Sequence, residues 1–277
     1  MRLHRFFADR VRMKNTIIKD TLLFPKKQFT EDKNMRVIVV NSYEEGAVAG
    51  ADIIEKLVRS NPECTLGLAT GSSPVGMYKE LSRRCKEEGL DFSKVHSVNL
   101  DEYVGLEGTH DQSYRYFMDT NLFDHINIDK KNTYVAKGVG DAEENLKEFN
   151  AVLAKTDIDL QVLGVGPDGH LGFNEPGDVL WDHAHMETLD ESTIDANQRF
   201  FASRDDVPRR AFTMGMGDIM KAKTLLMIIS GNKQDAATKL LMNEMIDPHC
   251  PATFMRMHRD AIVIIEKKLA DQIGYKG

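Results

Sequence analysis

The chain has 277 residues, of which 42% are hydrophobic, so it can form one large or two small α/β domains and is not disordered as a whole. Lys and Arg number 36 against 43 Asp and Glu, a net charge of −7, and no basic stripe is available to neutralise a nucleic acid. No apolar run approaches a membrane span in length, so neither nucleic acid nor a membrane is an expected partner. Cys64, Cys85 and Cys250 show neither pairing nor metal-ligand spacing, which predicts reduced thiols in a cytoplasmic protein.

The first 34 residues differ in character from the rest. Basic and apolar residues are interleaved there, but the long apolar core of a secretory signal is missing, and Asp9 and Asp20 argue against an organellar signal. We interpret residues 1–34 as a poorly ordered extension upstream of the domain. Residues 35–277 are expected to form a single domain.

From Met35 onward, short β-branched strands alternate with amphipathic helices. The predicted strands are 36–41, 64–69, 95–100, 158–165, 224–230 and 261–266. Predicted helices cover 44–59, the stretch from Pro74 to Gly89, a segment after Ser113, 142–153 and 234–245. This order predicts an α/β fold with a mostly parallel, doubly wound (Rossmann-like) sheet and helices on both faces. Residues of about 185–212 have weak periodicity and are predicted to form a helical, mobile lid.

Three proton-handling side chains follow the strand at 158–165. The chain reads Leu163-Gly-Val-Gly-Pro-Asp168-Gly-His170-Leu-Gly-Phe-Asn-Glu175-Pro176. In parallel sheets, ligands bind beyond the carboxyl ends of the strands, where this loop is expected to lie. A carboxylate that fixes the tautomer of a histidine prepares it for proton transfer, so Asp168, His170 and Glu175 indicate an acid/base site. The alternative is a Gly-rich turn with solvated charges.

A metal site is the competing interpretation of His170. The other histidines show neither the H-x-x-x-H spacing of a helical zinc site nor a cysteine partner, so no metal is predicted.

A second candidate is the turn Thr70-Gly71-Ser72-Ser73-Pro74 between a strand and a helix. Free N–H groups and the positive helix end make such a turn suitable for an anion, although an ordinary helix cap explains it equally well. The Walker and dinucleotide-binding patterns are absent from it. A bound phosphate would need more positive charge, for which the later candidates are Arg199, Arg209, Arg210 and Lys233.

Asp101 is the third candidate, because it follows a predicted strand directly. A carboxylate there can serve as a base, as a metal ligand or as the N-cap of the next helix.

Together these segments resemble the glucosamine-6-phosphate deaminase family. The stretches that carry the resemblance are Leu66-Gly-Leu-Ala-Thr-Gly-Ser-Ser-Pro74, Asn99-Leu-Asp-Glu-Tyr-Val-Gly-Leu106, the Leu163–Pro176 loop, Asn197-Gln-Arg-Phe-Phe201 and Pro208-Arg-Arg-Ala-Phe-Thr-Met-Gly-Met-Gly217. They run in family order from about Met35 to the C-terminus.

The resemblance implies conversion of glucosamine 6-phosphate to fructose 6-phosphate and ammonia, without a metal or redox cofactor. It implies that Gly71, Ser72, Ser73 and Arg199 hold the sugar phosphate. It also implies that His170, oriented by Asp168 and Glu175, opens the pyranose ring. Asp101 would then move a proton from C2 to C1 through an enolamine.

The sequence departs from the family at two places. The phosphate-binding lysine usually lies three residues after a glycine, whereas Lys233 lies two after Gly231. Some members are hexamers activated by N-acetylglucosamine 6-phosphate through a Ser, an Arg and a Lys, and the matching positions here are Asp178, His185 and Glu187. We therefore expect no activation by that effector and a monomer or small homo-oligomer.

Three alternatives remain open. 6-Phosphogluconolactonase has the same fold and a Gly-Pro-Asp-Gly-His loop, although the Phe173–Pro176 continuation and Asp101 fit the deaminase better. Galactosamine 6-phosphate differs from the glucosamine substrate only at C4, which the sequence does not resolve. A non-catalytic sugar-phosphate sensor is disfavoured because no helix-turn-helix is evident and all the proton carriers are present.

Overall fold

The computed structural model describes residues 35–276 except 190, 192, 193, 196, 197, 199, 200 and 202. The predicted extension 1–34 and the predicted phosphate ligand Arg199 therefore lie outside the described residues. Among the described helices, none is both long and apolar enough to cross a membrane.

A parallel sheet of seven strands forms the centre of the described chain. Its members are β1 (Met35–Val40), β2 (Thr65–Leu68), β3 (His96–Asn99), β5 (Thr133–Tyr134), β6 (Leu160–Leu163), β9 (Thr224–Ile229) and β10 (Ala261–Glu266). Their order across the sheet is β1-β10-β9-β6-β2-β3-β5. β9 and β10 consist almost wholly of buried apolar residues, as expected of strands covered on both faces.

The predicted helices are present, with small shifts at their ends. The described helices are α1 (Tyr43–Ser60), α2 (Ser72–Glu88), α3 (Tyr114–Asn121), α4 (Ala142–Leu153), α5 (Met216–Met220), α6 (Gln234–Leu241) and α7 (Lys267–Ile273). Ser42 and Ser113 cap α1 and α3, each accepting a hydrogen bond from an N–H of the first turn. The predicted mostly parallel α/β fold is confirmed.

A second, antiparallel sheet was not predicted. It consists of β4 (Asp101–Tyr103), β8 (Arg210–Thr213) and β7 (His185–Thr188), in that order. The predicted lid at 185–212 is therefore too wide, because both of its ends are paired strands. Such short strands carry too few residues for their alternation to be recognised, and their pairing joins residues about 110 positions apart. A lid between the two strands remains a prediction.

The strand order places a crevice between β2 and β6. After β2 the chain continues to β3 on one side, whereas after β6 it continues to β9 on the other. Neighbouring strands whose connections diverge in this way leave a crevice at their carboxyl ends, which is where α/β proteins bind ligands. The loops after β2, β3, β6 and β9 carry the predicted site residues.

Candidate active site

The turn after β2 leads into α2 through Gly71. Gly71 is the N-cap of α2 and has φ +84°, a left-handed conformation that favours glycine. Gly71 has no side chain and so supplies no capping hydrogen bond to this helix end. The first N–H groups of α2 therefore have no capping oxygen of the kind that Ser42 supplies to α1, which favours the anion-site interpretation over an ordinary cap.

Ser73 connects this turn to the end of β9. Its Oγ lies 3.3 Å from Oγ of Ser230, the residue directly after β9. A Cβ added at Gly164, after β6, would lie 4.0 Å from the same Oγ. A hydroxyl group from the first turn of α2 and one from the loop after β9 thus meet at the N-terminal end of α2. Ser230 is a residue that the sequence reasoning missed, and its position directly after a buried strand was the available signal.

Asp168, His170 and Glu175 come together in the loop after β6, as predicted. His170 Nδ1 lies 2.8 Å from Asp168 Oδ1 and 3.5 Å from Glu175 Oε2. Asp168 Oδ1 also accepts a hydrogen bond from the backbone N–H of His170 at 3.2 Å. Burial lowers the pKa of His170, but the contact with Asp168 and the charges of Glu175 and Asp168 outweigh it, so this pKa is raised overall. The same contact holds the pKa of Asp168 at about 2.

Two glycines make room for this loop. A Cβ at Gly166 would collide with the ring of His170, and one at Gly169 would collide with the Cys250 thiol. The imidazole therefore packs directly against the backbone of its own loop. This packing limits where the ring can lie.

Asp101 is the first residue of β4 and is only 7% exposed. It pairs with Thr213 of β8, and a Cβ at Gly172 would lie 2.7 Å from Thr213 Oγ1 and 3.5 Å from Asp101 Oδ2. The loop that carries His170 thus passes directly over Asp101. The pKa of Asp101 is raised to about 8, first by burial and then by the charge of Glu102, while His170 lowers it.

Glu102 is a further residue that the sequence reasoning did not single out. Its carboxylate accepts hydrogen bonds from the backbone N–H groups of Tyr103, Tyr114 and Arg115, at 2.8, 2.9 and 2.9 Å. Burial raises the pKa of Glu102 to about 7 against the lowering effect of these three donors. Glu102 thereby ties the strand that carries Asp101 to the start of α3. The Asp-Glu pair in the sequence was the only signal.

Lys233 lies at the N-cap position of α6, just after β9. Burial lowers the pKa of Lys233 and outweighs the charge of Asp168, which raises it. Its positive charge in turn lowers the pKa of His170. Whether Lys233 contacts a phosphate remains a prediction, as does the role of Arg199.

Asp168, His170 and Glu175 each offer a donor atom, and these atoms lie within 4.8 Å of one another. A cation could be held at that spacing. Acidic groups are often this close in proteins without one, and the sequence predicts none.

The family model described as glucosamine-6-phosphate isomerases/6-phosphogluconolactonase matches residues 41–264. The chain belongs to this family. A family member named glucosamine-6-phosphate deaminase, from Clostridium perfringens, is 54% identical over 238 residues, which cover 85% of this chain and 98% of the relative. One of the same name from Thermoanaerobacter is 45% identical over 241 residues, 86% of this chain and 95% of the relative.

Solved structures of the family agree with the fold. One described as a monomeric glucosamine-6-phosphate deaminase superposes with a TM-score of 0.82 at 37% identity, covering 86% of this chain and 99% of the other. A 6-phosphogluconolactonase from Thermotoga maritima superposes with a TM-score of 0.65 at 19% identity, covering 84% and 100%. At that identity the lactonase shows the common fold alone.

Proposed function

We propose that the protein is a glucosamine-6-phosphate deaminase, which converts glucosamine 6-phosphate and water to fructose 6-phosphate and ammonia. The observation that carries the proposal is the buried carboxyl group of Asp101 directly beneath the loop of Asp168, His170 and Glu175. The relatives named glucosamine-6-phosphate deaminase at 54% and 45% identity support it.

The reaction requires two proton carriers and a fixed substrate. The phosphate binds at the N-terminal end of α2 to Gly71, Ser72 and Ser73, with Arg199 and Lys233 supplying positive charge. His170 moves a proton to the ring oxygen, which breaks the C1–O bond and opens the pyranose ring. Asp168 and Glu175 stabilise the charged imidazole.

Asp101 then takes the proton from C2 while the ammonium group on C2 of the substrate passes a proton to O1, which leaves a neutral enolamine with a double bond between C1 and C2. Return of that proton to C1 gives an iminium group at C2. Water adds to C2, and the amine leaves as ammonia. Because its pKa is raised to about 8, the ionised carboxyl group of Asp101 is a stronger base toward a carbon-bound proton than an ordinary aspartate.

Lactone hydrolysis is the second candidate, because the lactonase structures have the same fold. That reaction needs activated water and a proton donor but no carbon acid. Asp101, with its raised pKa, would have no evident task in it.

Ammonia release tests the proposal. We expect release from glucosamine 6-phosphate and none from N-acetylglucosamine 6-phosphate, with galactosamine 6-phosphate assayed in parallel to define the C4 preference. Hydrolysis of 6-phosphogluconolactone without ammonia release from either amino sugar would refute the deaminase and support the lactonase.

For the assembly we propose a monomer, supported by the similar solved structure described as monomeric. Sedimentation at micromolar concentration should give one species of about 31 kDa.

A further inference from the structure

Tyr43, the first residue of α1, reaches across to the first turn of α2. Its hydroxyl donates a hydrogen bond to the carbonyl of Ser72 at 2.9 Å and accepts one from the N–H of Gly76 at 2.8 Å. Ser72 and Gly76 are four residues apart, so these two groups face each other across one helical turn. The hydroxyl therefore holds the first turn of α2 at both ends.

Close packing between α1 and α2 fixes where this ring lies. A Cβ at Gly76 would lie 2.8 Å from Tyr43 Cε1 and 2.9 Å from the Cβ of Ala47. Gly76 does not have a positive φ, so space rather than backbone conformation requires glycine there. One turn further along α1, a Cβ at Gly50 would lie 2.8 Å from Met77 Sδ. Helices α1 and α2 thus pack closely where Gly50 and Gly76 lie between them, and the ring of Tyr43 packs against Gly76.

A second tyrosine holds the other side of the same turn. The buried hydroxyl of Tyr78 donates to the carbonyl of Ala69 at 2.7 Å and accepts from its N–H at 3.3 Å. Tyr78 anchors the chain as it leaves β2, and Tyr43 anchors it where α2 begins. The residues between these anchors are Thr70, Gly71 and the first turn of α2.

The Tyr43 side of the turn borders open space. A cavity of about 460 Å³ is lined by Tyr43, Ser72, Val75, Ser230, Gly231 and Glu266. Tyr43 therefore borders the same cavity as Ser72 and Ser230.

We infer that Tyr43 is a positioning residue for phosphate binding, holding the first turn of α2 so that the N–H groups of Ser72 and Ser73 meet the phosphate oxygens. This inference rests on the proposed function for the location of the phosphate. Hydrogen bonds to an anion weaken steeply when their angle changes. If the first turn of α2 could shift, its affinity for phosphate would fall although every N–H donor would still be present. The acid/base residues lie on other loops and are untouched.

The experiment compares wild type with Tyr43→Phe, which removes one oxygen atom, and uses Tyr116→Phe as the matched control. Tyr116 lies on α3 and is 39% exposed. Calorimetry measures the Kd of inorganic phosphate, and steady-state kinetics measures KM and kcat for glucosamine 6-phosphate. We expect Tyr43→Phe to raise both the Kd and the KM about tenfold, the loss of about one hydrogen bond, with kcat within about twofold of wild type. The control should change neither constant.

Unchanged phosphate affinity in Tyr43→Phe overturns the inference, and so does a fall in kcat at unchanged KM. Should Tyr43→Phe not fold, Gly76→Ala displaces the ring while every hydrogen-bonding group remains, and normal phosphate affinity in that variant overturns the inference equally. If the wild-type enzyme binds phosphate but releases no ammonia, the proposed function is refuted. The test of Tyr43 still stands in that case, because it compares the phosphate Kd of wild type and Tyr43→Phe.

Discussion

Replacing Asp101 with asparagine should abolish turnover and stabilise the fold, by an amount that grows with pH. The pKa of the buried Asp101 carboxyl group is raised from 3.8 to about 8. An acid whose pKa is higher in the folded than in the unfolded state binds its proton more tightly when folded. As pH rises between those two values, the group ionises in the unfolded chain but keeps its proton in the folded state, so the folded state progressively loses stability relative to the unfolded state.

The size of the effect follows from that interval. One unit of pKa difference corresponds to about 1.4 kcal/mol, so the buried carboxyl group costs the fold roughly 2 kcal/mol at pH 5 and roughly 5 kcal/mol at pH 8. Asparagine carries no such cost, so the free energy of unfolding of Asp101→Asn should gain roughly 3 kcal/mol on that of wild type between pH 5 and pH 8. The other titratable groups that interact with Asp101 are the same in both proteins, namely Glu102, His170, Tyr78, Tyr103 and Tyr114.

Urea unfolding at pH 5, 6.5 and 8 measures this difference, and ammonia release confirms the loss of activity. Asp205→Asn is the matched control, since the Asp205 side chain is 94% exposed. The difference in free energy of unfolding between this control and wild type should be the same at each pH. A gap for Asp101→Asn that stays constant from pH 5 to 8 would refute the buried-carboxyl argument. Unchanged turnover would refute the assignment of Asp101 as the base.

Three further outcomes are expected. Asp168→Asn should lower the pKa of His170, because the carboxylate nearest to the imidazole is lost. NMR of the imidazole resonance should then show titration at lower pH, and an unchanged titration midpoint would contradict the pairing of His170 with Asp168. Gly166→Ala should fold but lower kcat by at least about tenfold, because the added Cβ collides with the His170 ring. A normal kcat would show that turnover does not depend on the position of this ring. Glu102→Gln should lower stability by about 1–3 kcal/mol in urea unfolding at pH 4.5, because an amide N–H₂ cannot accept a hydrogen bond from the backbone N–H groups that face it. At this pH the raised pKa of Glu102 costs the fold little, so the lost hydrogen bonds dominate. Unchanged stability at pH 4.5 would mean that the donors find other partners.

Much of the architecture follows from local patterns in the chain. Continuous β-branched runs such as Ala261–Glu266 form the same strand that the pattern predicts, and the helix Ala142–Leu153 also has its predicted bounds. Such patterns succeed because burial on both faces leaves no polar position in a central strand. The loop of Asp168, His170 and Glu175 was predictable for a related reason, since its three side chains are close in sequence and share one turn.

The remaining features depend on residues far apart in the chain. In the antiparallel sheet, Asp101 pairs with Thr213. Strands of three or four residues have too weak a periodicity for the sequence to predict this pairing. The burial that raises the pKa of Asp101 involves the loop at Gly172, where an added Cβ would lie 3.5 Å from Asp101 Oδ2. Likewise, the tyrosine that holds the turn at Ser72 belongs to another helix, which is placed there by close packing at Gly76. The sequence by itself determined the fold class and the kinds of acid, base and anion-binding groups; only the tertiary structure decided which of them are buried, because burial depends on what the distant parts of the chain bring alongside.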